Sequence, residues 1–183
     1  MFERGFKAWC ERFSLQKRKE LGLHPKDPLD PRALAANLDI KVWIIEQVPE
    51  LSEESQKILL AEDGGWSAAT ICVADRKLII LNSAHSAGRQ SSDLMHELAH
   101  QILEHRPSAL EVSADGIMML NSYDRKQEEE ADWLAACLLL PRDALVHIKK
   151  RIPDTLEAAT QYGVSRAMLK YRLDVSGVNY QFG

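Results

Sequence analysis

Residues 91–104 read SSDLMHELAHQILE, and the apolar letters of this stretch recur at the spacing of a helix. His96 and His100 are four residues apart, so in a helix they lie one turn apart on the same face. Two imidazoles in that arrangement can each direct a nitrogen at one Zn²⁺ ion. Glu97 lies beside this pair and can reach a water on the metal without occupying the metal itself. The stretch therefore predicts a metal-binding helix at the edge of a cleft, although the same letters on a solvated helix face stay an alternative from this motif alone.

A second predicted helix, from about residue 126 to residue 140, offers the third protein ligand that zinc hydrolases usually need. Three consecutive glutamates, Glu128 to Glu130, compete for that role. At 100° per residue, Asp132 lies about 40° from Glu128, and small alanine side chains share that side of the helix. We therefore take Glu128 as the ligand and Asp132 as the carboxylate that accepts the free N–H of a ligating imidazole. Glu129 and Glu130 are better explained as an exposed acidic helix start, which the helix dipole favours.

Two further residues are candidates on the substrate side of this site. His105 lies nine residues after His96 and falls on the opposite side of the helix if the helix continues that far. We expect it to cap the carboxyl end of the helix or to face the substrate. Tyr123 is a candidate for stabilising an oxyanion, because a phenol can donate a hydrogen bond to developing negative charge.

The order of predicted elements is typical of an α+β domain with a small sheet, since strands come early in the chain and helices late. We expect that sheet to be mostly antiparallel and to pack on helices that include the two predicted metal-binding helices. Asp30-Pro31 and Ser52 each predict the start of a helix. The β-branched and aromatic residues that predict strands lie at residues 40–48, 66–74 and 77–82.

The carboxyl-terminal segment has a character of its own. Residues 142–183 contain seven Lys or Arg and four Asp or Glu, which gives a net charge of +3. Gly163 separates two short amphipathic stretches in the manner of a helix-turn-helix. Because few basic residues are present for phosphate binding, we expect a packed helical hairpin, with DNA contact as the alternative. We therefore divide the chain into a main domain at residues 1–150 and a helical extension at 151–183.

The composition excludes several classes of protein. Of the 183 residues, 45% are hydrophobic and 27% are charged, which is too apolar for a disordered chain. The net charge of −4 argues against a general binder of nucleic acid or of anionic membranes. Charges interrupt the first apolar residues, and no apolar run is long enough for a membrane span, so we expect neither a signal peptide nor a membrane helix. Cys10, Cys72 and Cys137 form no CxxC pair and predict reduced thiols in a cytoplasmic protein.

Together, these blocks resemble the ImmA/IrrE family of zinc metallo-endopeptidases, which are relatives of the thermolysin-like zincins. A strand at residues 78–82 precedes Arg89 and the HELAH sequence at 96–100. Residues 128–141 read EEEADWLAACLLLP and resemble the family pattern E-x-E-A-(N/D)-x-F-A-A-x-L-L-M-P. Leu134 and Leu140 are conservative departures from that pattern. The resemblance spans about residues 15–175. Ser91 departs from it, because family members often carry a basic residue there.

The resemblance implies a zincin-like fold for the main domain. It implies that His96, His100 and Glu128 bind one Zn²⁺ per chain and that Glu97 is the general base. It also implies a protein substrate, often a helix-turn-helix repressor that is cleaved under stress or induction. The alternative is a non-proteolytic regulator that binds DNA or a partner and carries a vestigial or structural zinc site. An intact Glu97 and a set of only three ligands argue against a purely structural site, which normally closes with a fourth ligand.

Overall fold

The structure is a computed structural model that describes residues 2–61, 66–73, 76–105, 109–112, 118–121 and 124–182. A short 3₁₀ helix covers Ile45–Gln47. The strands are β1 (Lys41–Ile44), β2 (Ala68–Val73), β3 (Arg76–Leu81), β4 (Ala109–Val112) and β5 (Met118–Asn121). The helices are α1 (Phe6–Glu20), α2 (Pro31–Asn37), α3 (Glu53–Leu60), α4 (Ala87–Ile102), α5 (Arg125–Leu139), α6 (Arg142–Arg151), α7 (Thr155–Gln161), α8 (Arg166–Val175) and α9 (Val178–Gln181).

The first three strands form a mixed sheet rather than the mostly antiparallel sheet that we expected. Its order is β1-β3-β2, with β3 parallel to β1 and antiparallel to β2. The parallel pair is possible because α3 and β2 lie between β1 and β3 in the chain and supply a long crossover. β1 is shorter than predicted because the chain turns into the 3₁₀ helix at Ile45. An additional antiparallel hairpin, β4–β5, occupies a stretch for which we predicted no element.

The core lies where α4 meets α5. The side of α4 that was predicted to be apolar is buried, and it packs against α5. Residues 133–139 of α5 and its C-cap, Leu140, are all buried as well. Ala131 and Ala135 are small enough to let the two helices approach closely, which brings the polar first turn of α5 toward α4. The residues of α4 that are buried at this contact are Leu94, Met95, Leu98 and Ala99.

The turn between α7 and α8 packs directly on α4. Gly88 lies in the first turn of α4, and a Cβ placed there would be 3.5 Å from the backbone carbon of Val164 in the turn between α7 and α8. Gly163 in that turn has a φ of +61°, the left-handed conformation that glycine adopts readily. Buried residues of α7 and α8 belong to the same core cluster as those of α4 and α5. The division of the chain at residue 150 stays a prediction. Within the described ranges, no helix combines the length and the apolar character needed to cross a membrane.

Candidate metal centre

Two histidines of α4 point toward the first turn of α5. His96 and His100 lie one helical turn apart, and their Nε2 atoms are 2.9 Å from each other. Both side chains are partly buried, because the apolar side of α4 holds the helix against α5 while this edge of the helix stays partly exposed. The spacing in the sequence therefore produces two convergent ring nitrogens.

Glu128 approaches the same point from α5. Asp124 is the N-cap of α5, and its side chain accepts hydrogen bonds from the backbone N–H groups of Lys126 and Gln127. This cap fixes the first turn and places Glu128 opposite the histidines. Glu128 Oε2 is 3.2 Å from His96 Nε2, and Glu128 Oε1 is 3.5 Å from His100 Nε2.

The three side chains fit a zinc ion in donor type and in spacing. Their candidate ligand atoms all lie within 4.8 Å of one another. Two atoms that each lie about 2.0–2.1 Å from one tetrahedral zinc are about 3.3 Å apart, and the measured separations bracket that value. Two imidazoles and a carboxylate are also a ligand set of catalytic zinc sites, which leave a fourth position open.

Asp132 contacts the outer nitrogen of His96. Its Oδ1 atom is 2.9 Å from His96 Nδ1, the position that the helical spacing predicted for a carboxylate partner. Burial lowers the pKa of His96, but the hydrogen bond to Asp132 and the negative charges of Asp132 and Glu128 outweigh burial and raise that pKa above its usual value. The Asp132 side chain is 71% exposed, so this interaction is partly screened by solvent.

Glu97 lies beside the ligand cluster and has a partner that the sequence analysis missed. The hydroxyl group of Thr70, in β2, donates a hydrogen bond to Glu97 Oε2. Ala68 and Thr70 are partly buried, whereas Ala69 between them is exposed, so Thr70 lies on the inner side of β2. A polar residue on the inner side of a strand was the signal available in the sequence.

A protein-family model matches more than half of the chain. The model of Peptidase_M78, described as the IrrE N-terminal-like domain, matches residues 51–174, which is 124 of the 183 residues. The chain belongs to this family. The match includes α4, α5 and the sheet strands β2 and β3, and so it covers every residue of the cluster described above. No curated protein and no solved structure matches the chain.

Membership of Peptidase_M78 confirms the family that the sequence blocks resembled, and it identifies the chain as a protein of a metallopeptidase-type family. It implies that a protein is the substrate, without identifying that protein. The roles of His96, Glu97, His100, Glu128 and Asp132 stay predictions that the geometry supports. Tyr123, the candidate for oxyanion stabilisation, lies outside the described residues.

In this Peptidase_M78 chain, His105 does not lie on the opposite side of α4 from His96. The helix ends at Ile102, and the chain reverses at Glu104, which has a φ of +53°. His105 Nδ1 consequently lies 3.0 Å from His100 Nδ1. Glu130 was expected at an exposed helix start, and that expectation is wrong, because its side chain is 14% exposed and lies against His105.

Proposed function

We propose that this protein is a zinc-dependent endopeptidase that hydrolyses a peptide bond in a regulatory protein of the cytoplasm. The observation that carries the proposal is the convergence of His96, His100 and Glu128 on one point, with Glu97 beside that point. A structural zinc site has no use for an adjacent carboxylate that is not a ligand, whereas a hydrolytic site needs a general base there.

The residues divide the chemistry between them. His96 and His100 would hold the metal through Nε2, and Glu128 through its carboxylate. When bound, zinc supplies Lewis acidity, which lowers the pKa of water toward about 7 and polarises a carbonyl group. Glu97 takes a proton from the attacking water on a carboxylate oxygen and delivers it to the nitrogen of the leaving amine.

Thr70 supports the orientation of Glu97 and connects the site to a surface for substrate. The Thr70 hydroxyl donates to Oε2 of Glu97, and we assign the proton transfer from the attacking water to the other oxygen, Oε1. β2 is at one edge of the three-stranded sheet in the described part of the chain. An extended peptide that adds to this edge as a further strand passes directly beside Glu97, because Thr70 belongs to β2.

The substrate class that the family resemblance favours is a helix-turn-helix repressor. The net charge of −4 disfavours a nucleic-acid substrate, which supports a protein substrate instead. We propose cleavage of such a repressor under stress or induction as the biological role.

The competing function is a regulator that binds a partner or DNA without cleaving it. The turn at Gly163 between α7 and α8 favours this function, because it has the shape of a helix-turn-helix. Arg172 of α8, however, is 1% exposed and donates to Glu11 inside the fold, so it is not available to a phosphate. Of the three basic residues of α8, only Arg166 and Lys170 are exposed, and so we favour the packed hairpin.

The decisive experiment compares wild type with Glu97→Gln on helix-turn-helix regulators encoded beside its gene. Gln keeps the shape of Glu but cannot take a proton, so we expect unchanged zinc content and a cleavage rate lower by about 10²–10⁴-fold. The exposed variant Glu129→Gln is the matched control and should cleave as wild type does. Equal cleavage by wild type and Glu97→Gln would refute the assigned base. Equal binding of the regulators without cleavage by either protein would favour the binding regulator.

A further inference from the structure

Two largely buried side chains behind His100 take no part in the mechanism proposed above. His105 Nδ1 lies 3.0 Å from His100 Nδ1, the ring nitrogen that faces away from the ligand cluster. His105 Nε2 lies 3.5 Å from Glu130 Oε2. The side chains of His105 and Glu130 are only 8% and 14% exposed, so bulk water does not compete freely for these contacts. His100, His105 and Glu130 thus form a continuous row of polar groups.

The backbone makes a costly turn to place His105 there. The N–H of His105 donates to the carbonyl of His100, and the N–H of Glu104 donates to the carbonyl of Gln101, which together form a Schellman motif. That motif normally has glycine at the left-handed position, but here the residue is Glu104, with a φ of +53°. A left-handed conformation is unfavourable for a residue with a Cβ, so surrounding contacts must hold this turn.

We infer that His105 and Glu130 are positioning residues, which orient the His100 ring and fix its tautomer for a metal on Nε2. The inference rests on the proposed metal site. If Nε2 of His100 binds the metal, its ring hydrogen is on Nδ1, and that N–H donates to Nδ1 of His105. The hydrogen of His105 is then on Nε2, which faces Glu130. A carboxylate only accepts, so one assignment satisfies all three groups.

The two ligating histidines consequently have different kinds of outer partner. His96 contacts the exposed carboxylate of Asp132 directly. His100 reaches a carboxylate only through the buried ring of His105. Lys126 holds the far side of Glu130, with its Nζ atom 3.7 Å from Glu130 Oε1. The His100 ring is therefore confined by packing and by hydrogen bonds, which is the arrangement that preserves ligand geometry when substrate binds.

The first test measures zinc affinity by competition with a chromophoric chelator, in variants that remain folded by circular dichroism. His105→Leu removes the acceptor for His100 and should weaken zinc binding by about 10–100-fold, the usual effect of losing an outer partner. His105→Asn places an amide oxygen near the former position of Nδ1 and should restore most of that affinity. Glu129→Gln, on the exposed side of the same helical turn, should bind zinc as wild type does. Wild-type affinity in His105→Leu would overturn the inference.

A double-mutant cycle separates this role from ordinary packing. Glu130→Ala should weaken zinc binding on its own, but it should cause no further loss in the His105→Leu background, because Glu130 acts through His105. Strictly additive losses would mean that the two residues act independently, and this would contradict the inference.

Nitrogen-15 NMR of the zinc-loaded wild-type protein tests the tautomers without any substitution. We expect His100 to carry its hydrogen on Nδ1 and His105 to carry its hydrogen on Nε2. A metal-bound shift for a His105 nitrogen, or a hydrogen on its Nδ1, would refute the assignment. The metal site itself is checked by His96→Ala and Glu128→Ala: full zinc affinity in both would refute the proposed function, whereas loss in both with wild-type affinity in His105→Leu would refute this inference alone.

Discussion

The two ends of α5 differ in almost every physical respect. At the amino end, the side chains of Glu128 and Asp132 are at least partly exposed. At the carboxyl end, residues 133–140 are buried without interruption. The sequence EEEADWLAACLLLP records this change, because its charges stop at Asp132. We call the part of α5 that carries Glu128 and Asp132 its chemical end, and the buried stretch at residues 133–140 its anchored end.

Side chains from two other helices hold the anchored end. The last carbonyl groups of a helix have no partner within it. Ser14 Oγ donates to the carbonyl of Cys137 at 2.8 Å. Arg18 Nη2 donates to the carbonyl of Leu139 at 3.3 Å, and Arg172 Nε donates to the carbonyl of Leu140 at 3.0 Å. Three side chains from α1 and α8 thus satisfy the carboxyl end of α5, where the positive charges of Arg18 and Arg172 also complement the helix dipole.

The two arginines at the anchored end can be buried because each keeps its charge or has a counter-ion. Burial lowers the pKa of Arg18 to about 10, so its guanidinium stays charged at neutral pH. Arg172 has Glu11 as a counter-ion, 2.7 Å from its Nη2 atom. The comparison teaches that the ligand-bearing turn can remain open to solvent because the other end of the same helix carries the restraint. Substitutions at the two ends should therefore separate stability from metal binding.

The largest effect is expected at the anchored end. Arg172→Met leaves Glu11 and the Leu140 carbonyl without their cation, and losing one partner of a buried pair costs about 3–5 kcal/mol. Glu11 is partly exposed, so we expect the lower part of that range. Urea denaturation of the metal-free protein measures the free energy of unfolding. Lys170→Met, exposed on the same helix, should change it by less than about 0.5 kcal/mol. Similar values for the two variants would contradict the role given to the anchored end.

The next effect is on the chemical end. Structural zinc sites with four ligands have binding free energies of about 10–16 kcal/mol, so losing one ligand should weaken binding by about 2.5–4 kcal/mol, or on the order of 10²–10³-fold. We expect this loss of zinc affinity in Glu128→Ala, measured by chelator competition, while its metal-free free energy of unfolding stays near that of wild type. Glu129→Ala is the matched control. Unchanged zinc affinity in Glu128→Ala, together with a loss of affinity in Glu130→Ala, would assign the third ligand to Glu130 instead of Glu128.

A smaller effect is expected where the chemical end contacts His96. Asp132→Asn should weaken zinc binding by about tenfold, the low end for an outer partner, because Asp132 is largely exposed. The ratio of the zinc affinity of wild type to that of the variant should shrink as pH falls. Asp132 raises the pKa of His96, so a proton competes with zinc more strongly in wild type than in the variant. Zinc titrations over a pH series check both points, and a ratio that grows at low pH would contradict them.

The smallest effect tests the cap that begins the chemical end. Asp124→Ala removes the acceptor for two backbone N–H groups and should lower the free energy of unfolding by about 1 kcal/mol. Asp154 caps α7 in the same way, with bonds to Leu156 and Glu157, so Asp154→Ala is a matched control of equal size. Only Asp124→Ala should also weaken zinc binding, because only its cap precedes a ligand. Equal zinc affinity in the two variants would show that the first turn of α5 needs no cap.

Local signals in the sequence predicted local structure well. The predicted caps are confirmed, since Asp30 accepts from the N–H of Arg32 and Ser52 accepts from the N–H of Ser55. α4 nevertheless begins four residues before the predicted Ser91, because the contact with Val164 holds Gly88 in helix despite its low propensity. A cap depends on neighbours in sequence, whereas this extension depends on a residue 76 positions away.

Part of the candidate site could be predicted from the sequence, because those residues are also related by local spacing. His96, Glu97 and His100 share one helix, and Asp132 follows Glu128 by one turn, so helical geometry alone related them. His105 could not be placed, because its position depends on a left-handed Glu104 that glycine would normally supply. Strand pairing was missed on similar grounds, since the parallel contact between β1 and β3 depends on tertiary packing rather than on strand propensity.

Trp133 gives this helix a built-in optical reporter. Its ring lies where the chemical and anchored ends of α5 meet, with Lys7 Nζ 3.8 Å from the ring centroid and the guanidinium carbon of Arg172 5.9 Å from it. Indole emission responds to nearby charge and to water. Any motion that lifts α1 or α8 away from α5 removes a cation from this ring and admits solvent. The emission wavelength of Trp133 therefore reports whether these two helices still hold α5.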